Sequence, residues 1–212
     1  MRTRLLIVVS LALVLMALAL PARAAGAETL HVKFQGQTAQ AEFSSTKGCV
    51  QTVVYVLATD GRFKTDPGGP EAASGGEVYI SQEDVCTQTQ LVDAFGFAPL
   101  APDEFQINAQ VTAATLTATI EVSDFTSGTS FPVHVSVSWT GFGDTFSQDE
   151  RYRRKEAPGV WVNFHLDGTF RQATASGTVS DGTTNFTPEP ALLTGNTRLG
   201  SIKVGEVDII HM

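Results

Sequence analysis

The two cysteines of the chain are the residues whose spacing first suggests chemistry. Cys49 and Cys86 could form a redox pair, contribute to a metal site or form a structural disulfide. A redox C-x-x-C motif is absent, and no histidine lies at metal-ligand spacing from either cysteine. Between them lies the turn sequence DPGG at 66–69, which would bring two strands into antiparallel pairing. We therefore predict a structural disulfide between Cys49 and Cys86.

Placing the two cysteines opposite each other also predicts a strand register. Directly opposed residues would then have position numbers that sum to 135, with Tyr55 opposite Ile80 and the turn at Pro67-Gly68. Opposed residues on antiparallel strands are within disulfide reach, since their Cα atoms lie about 4.5–5.5 Å apart. In this register we expect the face that carries Tyr55 and Leu57 to be the core face, and the other face to be more polar.

A short basic segment has the residue types of an anion site. Arg151, Arg153, Arg154 and Lys155 lie within the sequence DERYRRKE at 149–156. On a strand, Arg151, Arg153 and Lys155 would share one face. We predict that this segment contacts a carboxylate, sulfate or phosphate group, or an acidic partner. The alternative is a solvated strand end whose charge is balanced by the neighbouring acidic residues.

A second candidate surface follows in the sequence VWVNFHLD at 160–167. Apolar and polar residues alternate there, so Trp161, Asn163, His165 and Asp167 would share the outward face of a strand. A tryptophan beside hydrogen-bonding side chains suits stacking on a sugar or another flat ligand. We predict a ligand-binding row at these four residues. The alternative is a tryptophan that packs at the sheet edge or under the loop at 156–159.

No pattern in the sequence predicts catalysis. The motifs of serine hydrolases, zinc proteases, P-loop proteins and EF-hands are absent. Acidic neighbours such as Asp149-Glu150 would point to opposite faces of a strand, so they are not a catalytic pair by spacing alone. We predict no catalytic residues, no metal ligands and no cofactor.

The first 24 residues are typical of a secretory signal peptide. Arg2 and Arg4 precede an apolar stretch at 5–20, and the small-residue pattern Ala22-Arg23-Ala24 follows. We therefore expect an exported protein, located in the periplasm, on the cell surface or in the medium, with no membrane span in the mature chain. Removal of residues 1–24 would leave 11 basic and 22 acidic residues, a formal net charge of −11. Such a balance argues against a nucleic-acid partner, because phosphate binding needs clustered cations.

The elements that would position these residues are β-strands. The chain is rich in β-branched and aromatic residues and shows period-two alternation, for example in FPVHVSVSW at 131–139. Turn sequences at short spacing separate the predicted strands. We therefore expect one all-β domain at 25–212, an antiparallel two-layer β-sandwich, with a meandering β-barrel as the alternative.

Three stretches with similar sequences also predict hairpins. In each, a strand would end at a short polar link near Ala39, Ala114 or Ala173, and a second strand would follow.

Taken with the absence of motifs, this pattern predicts a non-catalytic exported binding or interaction module with a carbohydrate or protein ligand. Two alternatives stay open: a hydrolase with scattered carboxylates, and a structural protein of the cell surface.

Overall fold

The fold was described from a computed structural model that places residues 29–65, 70–157, 160–187, 192–193 and 197–211. The predicted signal peptide and the predicted turn at Pro67-Gly68 lie outside these residues. The described residues form ten strands: β1 (Thr29–Lys47), β2 (Val50–Thr65), β3 (Pro70–Asp84), β4 (Thr89–Pro99), β5 (Phe105–Ile107), β6 (Ala113–Asp124), β7 (Thr129–Ala157), β8 (Val160–Ser180), β9 (Leu192–Leu193) and β10 (Arg198–His211). The described part of the chain contains no helix of the length and apolarity needed to cross a bilayer.

The strands form one antiparallel sheet that closes on itself. Neighbours run in the order β1-β2-β3-β4-β6-β7-β8-β10, and β10 pairs again with β1. β5 adds to β6, and β9 adds to β1. The ring is irregular because β4 and β6 share only two residue pairs and because β1–β10, β3–β4, β10–β8 and β7–β8 each contain a register shift. The predicted all-β antiparallel class is confirmed, whereas the pairing shows neither the two separate layers of a sandwich nor a regular barrel.

The sheet has apolar clusters on both of its faces. In β8, Phe164 and Leu166 are buried in one cluster, and Ala173 and Ala175 are buried in another. Side chains alternate between faces along a strand, so even-numbered and odd-numbered residues of β8 lie on opposite sides. We call the larger cluster, around Trp139, core 1 and the smaller one, around Phe164, core 2. The interior of the molecule therefore changes from one face of the sheet to the other partway along its long strands.

Glycine residues occupy the zone where this change takes place. On β1 and β2, Gly36 lies directly opposite Gly61. A Cβ atom built on Gly61 would lie 2.3 Å from the carbonyl oxygen of Gln35 and 2.8 Å from the Cα of Gly36. The two backbones approach each other more closely than any residue with a side chain allows. This close approach lets the sheet coil strongly between core 1 and core 2.

Two of the three predicted hairpins are wrong for the same reason. Ala39 and Ala173 are buried in core 1 in the middle of β1 and β8, which continue through the predicted links. A small side chain there serves packing, not a turn. The hairpin near Ala114 is present, since Ala114 pairs with Ile107 at the end of β5.

The predicted disulfide is confirmed, but the predicted register is wrong by one residue. Cys49 and Cys86 are bonded, with their Cα atoms 5.4 Å apart. Both lie in turns just outside the β2–β3 pairing, which begins at Val50 and Asp84. Cys49 lies one position before Val50, whereas Cys86 lies two positions after Asp84. This asymmetry lowers the sum of paired positions from the predicted 135 to 134.

The one-residue shift changes which face enters the core. Tyr55 lies opposite Tyr79, and Val54 lies opposite Ile80. Val54 and Ile80 are fully buried in core 1. Tyr55 packs with Leu57 on the opposite face in a small separate cluster. Because the side-chain period of a strand is two, a shift of one residue exchanges the faces.

Buried polar groups lie on the same face as Tyr55. The Arg198 side chain donates to the Oε1 atoms of Gln40 at 3.4 Å and Gln148 at 2.7 Å. Its guanidinium also stacks 4.4 Å from the centre of the Phe170 ring. Burial lowers the pKa of Arg198 and raises the pKa of Tyr55. The hydrogen bonds and the ring contact replace the hydration that the Arg198 guanidinium loses on burial. We therefore assign Arg198 a structural role at the junction of the two cores.

Glu77 is the buried carboxyl group of this face. It lies opposite Leu57 on β2 and Phe97 on β4 and is 3% exposed. Its Oε1 atom has no hydrogen-bond partner among the described residues. Burial raises its pKa to about 8, because removal from water disfavours the ionised form.

Candidate binding face

The two surfaces predicted from sequence lie next to each other on β7 and β8. In the register of these strands, Lys155 lies opposite Trp161, Arg153 opposite Asn163, and Arg151 opposite His165. Directly opposed side chains project from the same face of a sheet. The tertiary structure therefore joins the basic segment and the 161–167 row into one surface, which we call the binding face.

The binding face is the outer surface over core 2. The residues between its members, Val162, Phe164 and Leu166, are buried in core 2 on the other side of β8. Their alternation with polar residues follows from the pleat of the strand. Arg154 lies opposite Val162 and therefore projects away from the binding face. Of the four predicted basic residues, Arg151, Arg153 and Lys155 belong to this surface.

Trp161 and Arg153 form a stacked pair at one end of the face. The guanidinium carbon of Arg153 lies 4.6 Å from the centre of the indole ring. Trp161 is half-buried, whereas Arg153 is exposed. A planar cation held against an aromatic ring keeps its N–H groups at its edges, where a carboxylate or a sulfate can accept two hydrogen bonds. The predicted tryptophan is thus a platform for an arginine in this structure.

His165 lies between two carboxylates at the centre of the face. Its Nε2 atom is 3.5 Å from Asp149 Oδ1, and its Nδ1 atom is 3.7 Å from Glu206 Oε2. Glu206 also forms an ion pair with Lys33, whose Nζ atom lies 2.7 Å from Glu206 Oε1. The hydrogen bond from Lys33 lowers the pKa of Glu206, so the carboxylate is ionised at neutral pH. The centre of the face is a row of ionisable side chains, Lys33, Glu206, His165 and Asp149, that runs across four strands.

A second chain of polar contacts runs parallel to the first. His31 on β1 contacts Asp208 on β10 through its Nδ1 atom. The amide of Asn163 donates to the other carboxylate oxygen of Asp208 at 3.5 Å. Arg153 lies opposite Asn163 and completes the row on β7. Asn163 is therefore positioned between a carboxylate and a cation.

Asp167 lies at the acidic end of the face. It is opposite Asp149 on β7, while the register shift in β10 follows on its other side. Cations are concentrated toward Lys155 and carboxylates toward Asp167. The face therefore has a charge gradient along β7 and β8.

Four contributors to the face were missed in the sequence interpretation. They come from the first and last strands: His31 and Lys33 on β1, and Glu206 and Asp208 on β10. A signal for them exists, since polar and apolar residues alternate in LHVKF at 30–34 and in EVDI at 206–209. That signal shows which side chains share a face. It does not show that β10 lies beside β8 or that β1 lies beside β10, because the pairing of strands distant in sequence depends on how the whole chain folds.

A metal site is not formed on this face by the described residues. Among them, the one cluster with three potential ligands consists of Cys49, Asp84 and Cys86. Both sulfur atoms of that cluster are bonded to each other, so they are not thiolate ligands.

Comparisons with known proteins add no relative. No family model, curated protein or solved structure matches the chain.

Proposed function

We propose that the chain is an exported, non-catalytic binding module and that the binding face recognises a ligand that carries an anionic group. Arg151, Arg153 and Lys155 would contact the anion. Trp161, Asn163, His165 and Asp167 would orient the remainder of the ligand. Export is supported by the signal-peptide pattern at residues 1–24 and by the disulfide, which is stable in an oxidising compartment.

One observation carries this proposal. Three residues of each of the two features predicted from sequence lie directly opposite each other on adjacent strands. The cations are exposed, so a ligand can reach them: the side chain of Arg151 is 71% exposed. Its ion pair with Asp149 spans 3.6 Å between exposed groups, and such a pair stabilises a fold by only about 0–1 kcal/mol. The cation is therefore available to an incoming anion at little cost.

The stacking of Arg153 on Trp161 indicates which ligand groups the face would bind. An arginine stacked on an aromatic ring presents a planar fork, which matches a carboxylate or sulfate better than it matches a neutral hydroxyl group. The polar side chains of Asn163 and His165 lie within the same surface. The face therefore suits an acidic chain molecule, such as a uronic acid oligosaccharide or an acidic peptide.

Isothermal titration with matched anionic and neutral probes tests this function. The probes are an oligogalacturonate, a neutral malto-oligosaccharide, a glutamate-rich peptide and a serine-rich peptide. We expect binding of at least one anionic probe, no binding of the neutral ones and weakening at high salt. The triple variant Arg151→Ala/Arg153→Ala/Lys155→Ala should lose this binding. Equal binding by the triple variant, or no binding of either anionic probe, would contradict the proposed function.

A further inference from the structure

β7 has a sheet edge directly beside the basic residues. Residues 129–140 of β7 pair with β6, and residues from 134 onward pair with β8. From Thr145 to Ala157, β8 is the only described strand that pairs with β7. An edge of this kind presents backbone N–H and C=O groups that can pair with another strand. The basic residues therefore lie along a potential strand-addition site.

The side chains along this edge differ between its two faces. Arg151, Arg153 and Lys155 are exposed on the binding face. On the other face, Tyr152 stacks on Phe164 of core 2, with ring centres 4.9 Å apart. A strand added to β7 would place alternate side chains beside the cations and the others beside the rim of core 2. The complementary sequence has acidic residues at every second position and apolar residues between them.

The charge of the edge also decides between possible occupants. A second copy of this chain, added through the same edge about a two-fold axis, would bring two sets of cations together, which opposes pairing. An oligosaccharide could neutralise the cations but could not extend the backbone ladder. An extended acidic polypeptide satisfies both the charges and the backbone groups.

We propose that the partner of this chain is an extended polypeptide segment with alternating acidic and apolar residues, and that it binds by adding a strand to β7 at Arg151, Arg153 and Lys155, on the side where no described strand pairs with β7. This inference rests on the proposed function and specifies its ligand class. The acidic side chains would pair with the three cations, and the backbone of the segment would extend the sheet.

The experiment uses short peptides in which Glu and Val alternate, titrated into the purified chain. A peptide with Lys in place of Glu is the charge control. Two further peptides carry N-methyl groups on either the Glu nitrogens or the Val nitrogens. In an added strand, all N–H groups of one set face β7 and those of the other set face solvent. We expect one methylated peptide to bind like the parent and the other to lose binding at least about tenfold, since it loses the ladder hydrogen bonds.

Matched charge variants locate the site. Arg151→Ala/Arg153→Ala/Lys155→Ala should weaken binding about tenfold or more, as expected for the loss of three exposed charge pairs. The control Lys47→Ala/Arg62→Ala/Lys203→Ala removes the same charge from exposed positions outside the binding face. It should bind within about twofold of the wild type. Thermal unfolding by circular dichroism verifies that both variants are folded.

The outcomes separate this inference from the proposed function. If the two methylated peptides bind equally while the first triple variant loses binding, the strand-addition mode is wrong and the anion-binding face stands. Binding of oligogalacturonate without binding of the Glu-Val peptide has the same meaning. Sedimentation equilibrium that shows a peptide-free dimer, abolished by the first triple variant only, would identify a second copy as the occupant and overturn the inference.

Discussion

The ionisation of Glu77 should make the stability of this protein fall as the pH rises. Glu77 is 3% exposed, and its Oε1 atom has no described hydrogen-bond partner. Burial raises its pKa from 4.5 to about 8. The folded state therefore holds the carboxyl proton more tightly than the unfolded chain does. This contribution to stability is complete below pH 4.5 and is lost progressively as the pH rises toward 8.

The size of the effect follows from the two pKa values. Each unit of difference corresponds to about 1.4 kcal/mol in the free energy of unfolding. Integrated from pH 5 to pH 8, the shift amounts to about 3 kcal/mol for this one group. A loss of that size is a large fraction of the roughly 5–15 kcal/mol that stabilises a typical domain.

The variant Glu77→Gln tests this reasoning because it removes the ionisation and nearly keeps the size of the side chain. We expect the free energy of unfolding of the wild type, measured with urea, to fall between pH 5 and pH 8. This fall should exceed that of the variant by about 3 kcal/mol. Near pH 5 the two proteins should differ little, and at pH 8 the variant should be the more stable. The disulfide must stay oxidised throughout.

The variant Glu121→Gln provides the matched control, since this carboxylate on β6 is exposed. It removes the same charge without relieving a buried one, so its stability curve should follow that of the wild type. Parallel curves for the wild type and Glu77→Gln between pH 5 and pH 9 would refute the argument. So would a variant that is less stable than the wild type at every pH.

Two further predictions concern the covalent and steric constraints on the sheet. The double variant Cys49→Ala/Cys86→Ala should have a free energy of unfolding lower by about 4 kcal/mol, because the disulfide joins residues 37 positions apart and so closes a long loop in the unfolded chain. Denaturant titration measures this difference. A loss below about 1 kcal/mol would contradict the prediction. Gly61→Ala should cost about 2 kcal/mol or more, because its Cβ atom would lie 2.3 Å from the Gln35 carbonyl oxygen. The same titration of Gly205→Ala, where the nearest atom would be at 3.4 Å, provides the control, and equal stabilities of the two glycine variants would show that the close approach is not essential.

The alternation of residue types predicted the strands and many of their faces. The polar row at 161–167 is an example, because its members do share one face and the intervening residues are buried in core 2. The disulfide was also predictable, since the chain has two cysteines and no other ligands at metal-binding spacing. Alternation is a property of neighbouring residues, so a single segment carries it.

Register was the first property that alternation left open. The predicted pairing of Tyr55 with Ile80 assumed that the cysteines belong to the ladder. In the structure they lie in turns that extend by unequal lengths beyond it, so Tyr55 pairs with Tyr79. The difference of one residue exchanges the core face of β2. The alternation of residues within β2 or β3 does not indicate how far each cysteine lies beyond the end of the ladder.

The change of interior from one sheet face to the other could not be predicted from any one strand. In β1, Phe34 and Ala39 lie on opposite faces of the strand, and both are buried: Phe34 in core 2 and Ala39 in core 1. A local interpretation explains the break in alternation as a turn and divides the strand. The continuous strand is possible because the opposed pair Gly36 and Gly61 lets two backbones approach closely. That pair joins residues of different strands and exists only after they have paired.

The sequence by itself determined the all-β composition, the disulfide and the residue types that a binding face would need. Only the tertiary structure decided that Arg153 stacks on Trp161 and that His165 lies between Asp149 and Glu206. It also decided that, among the described strands, β8 alone pairs with β7 beside its cations. The physical reason is distance along the chain. Alternation along a strand is set by adjacent residues, whereas the neighbours across a sheet are set by turns, register shifts and ring closure, which involve the chain as a whole.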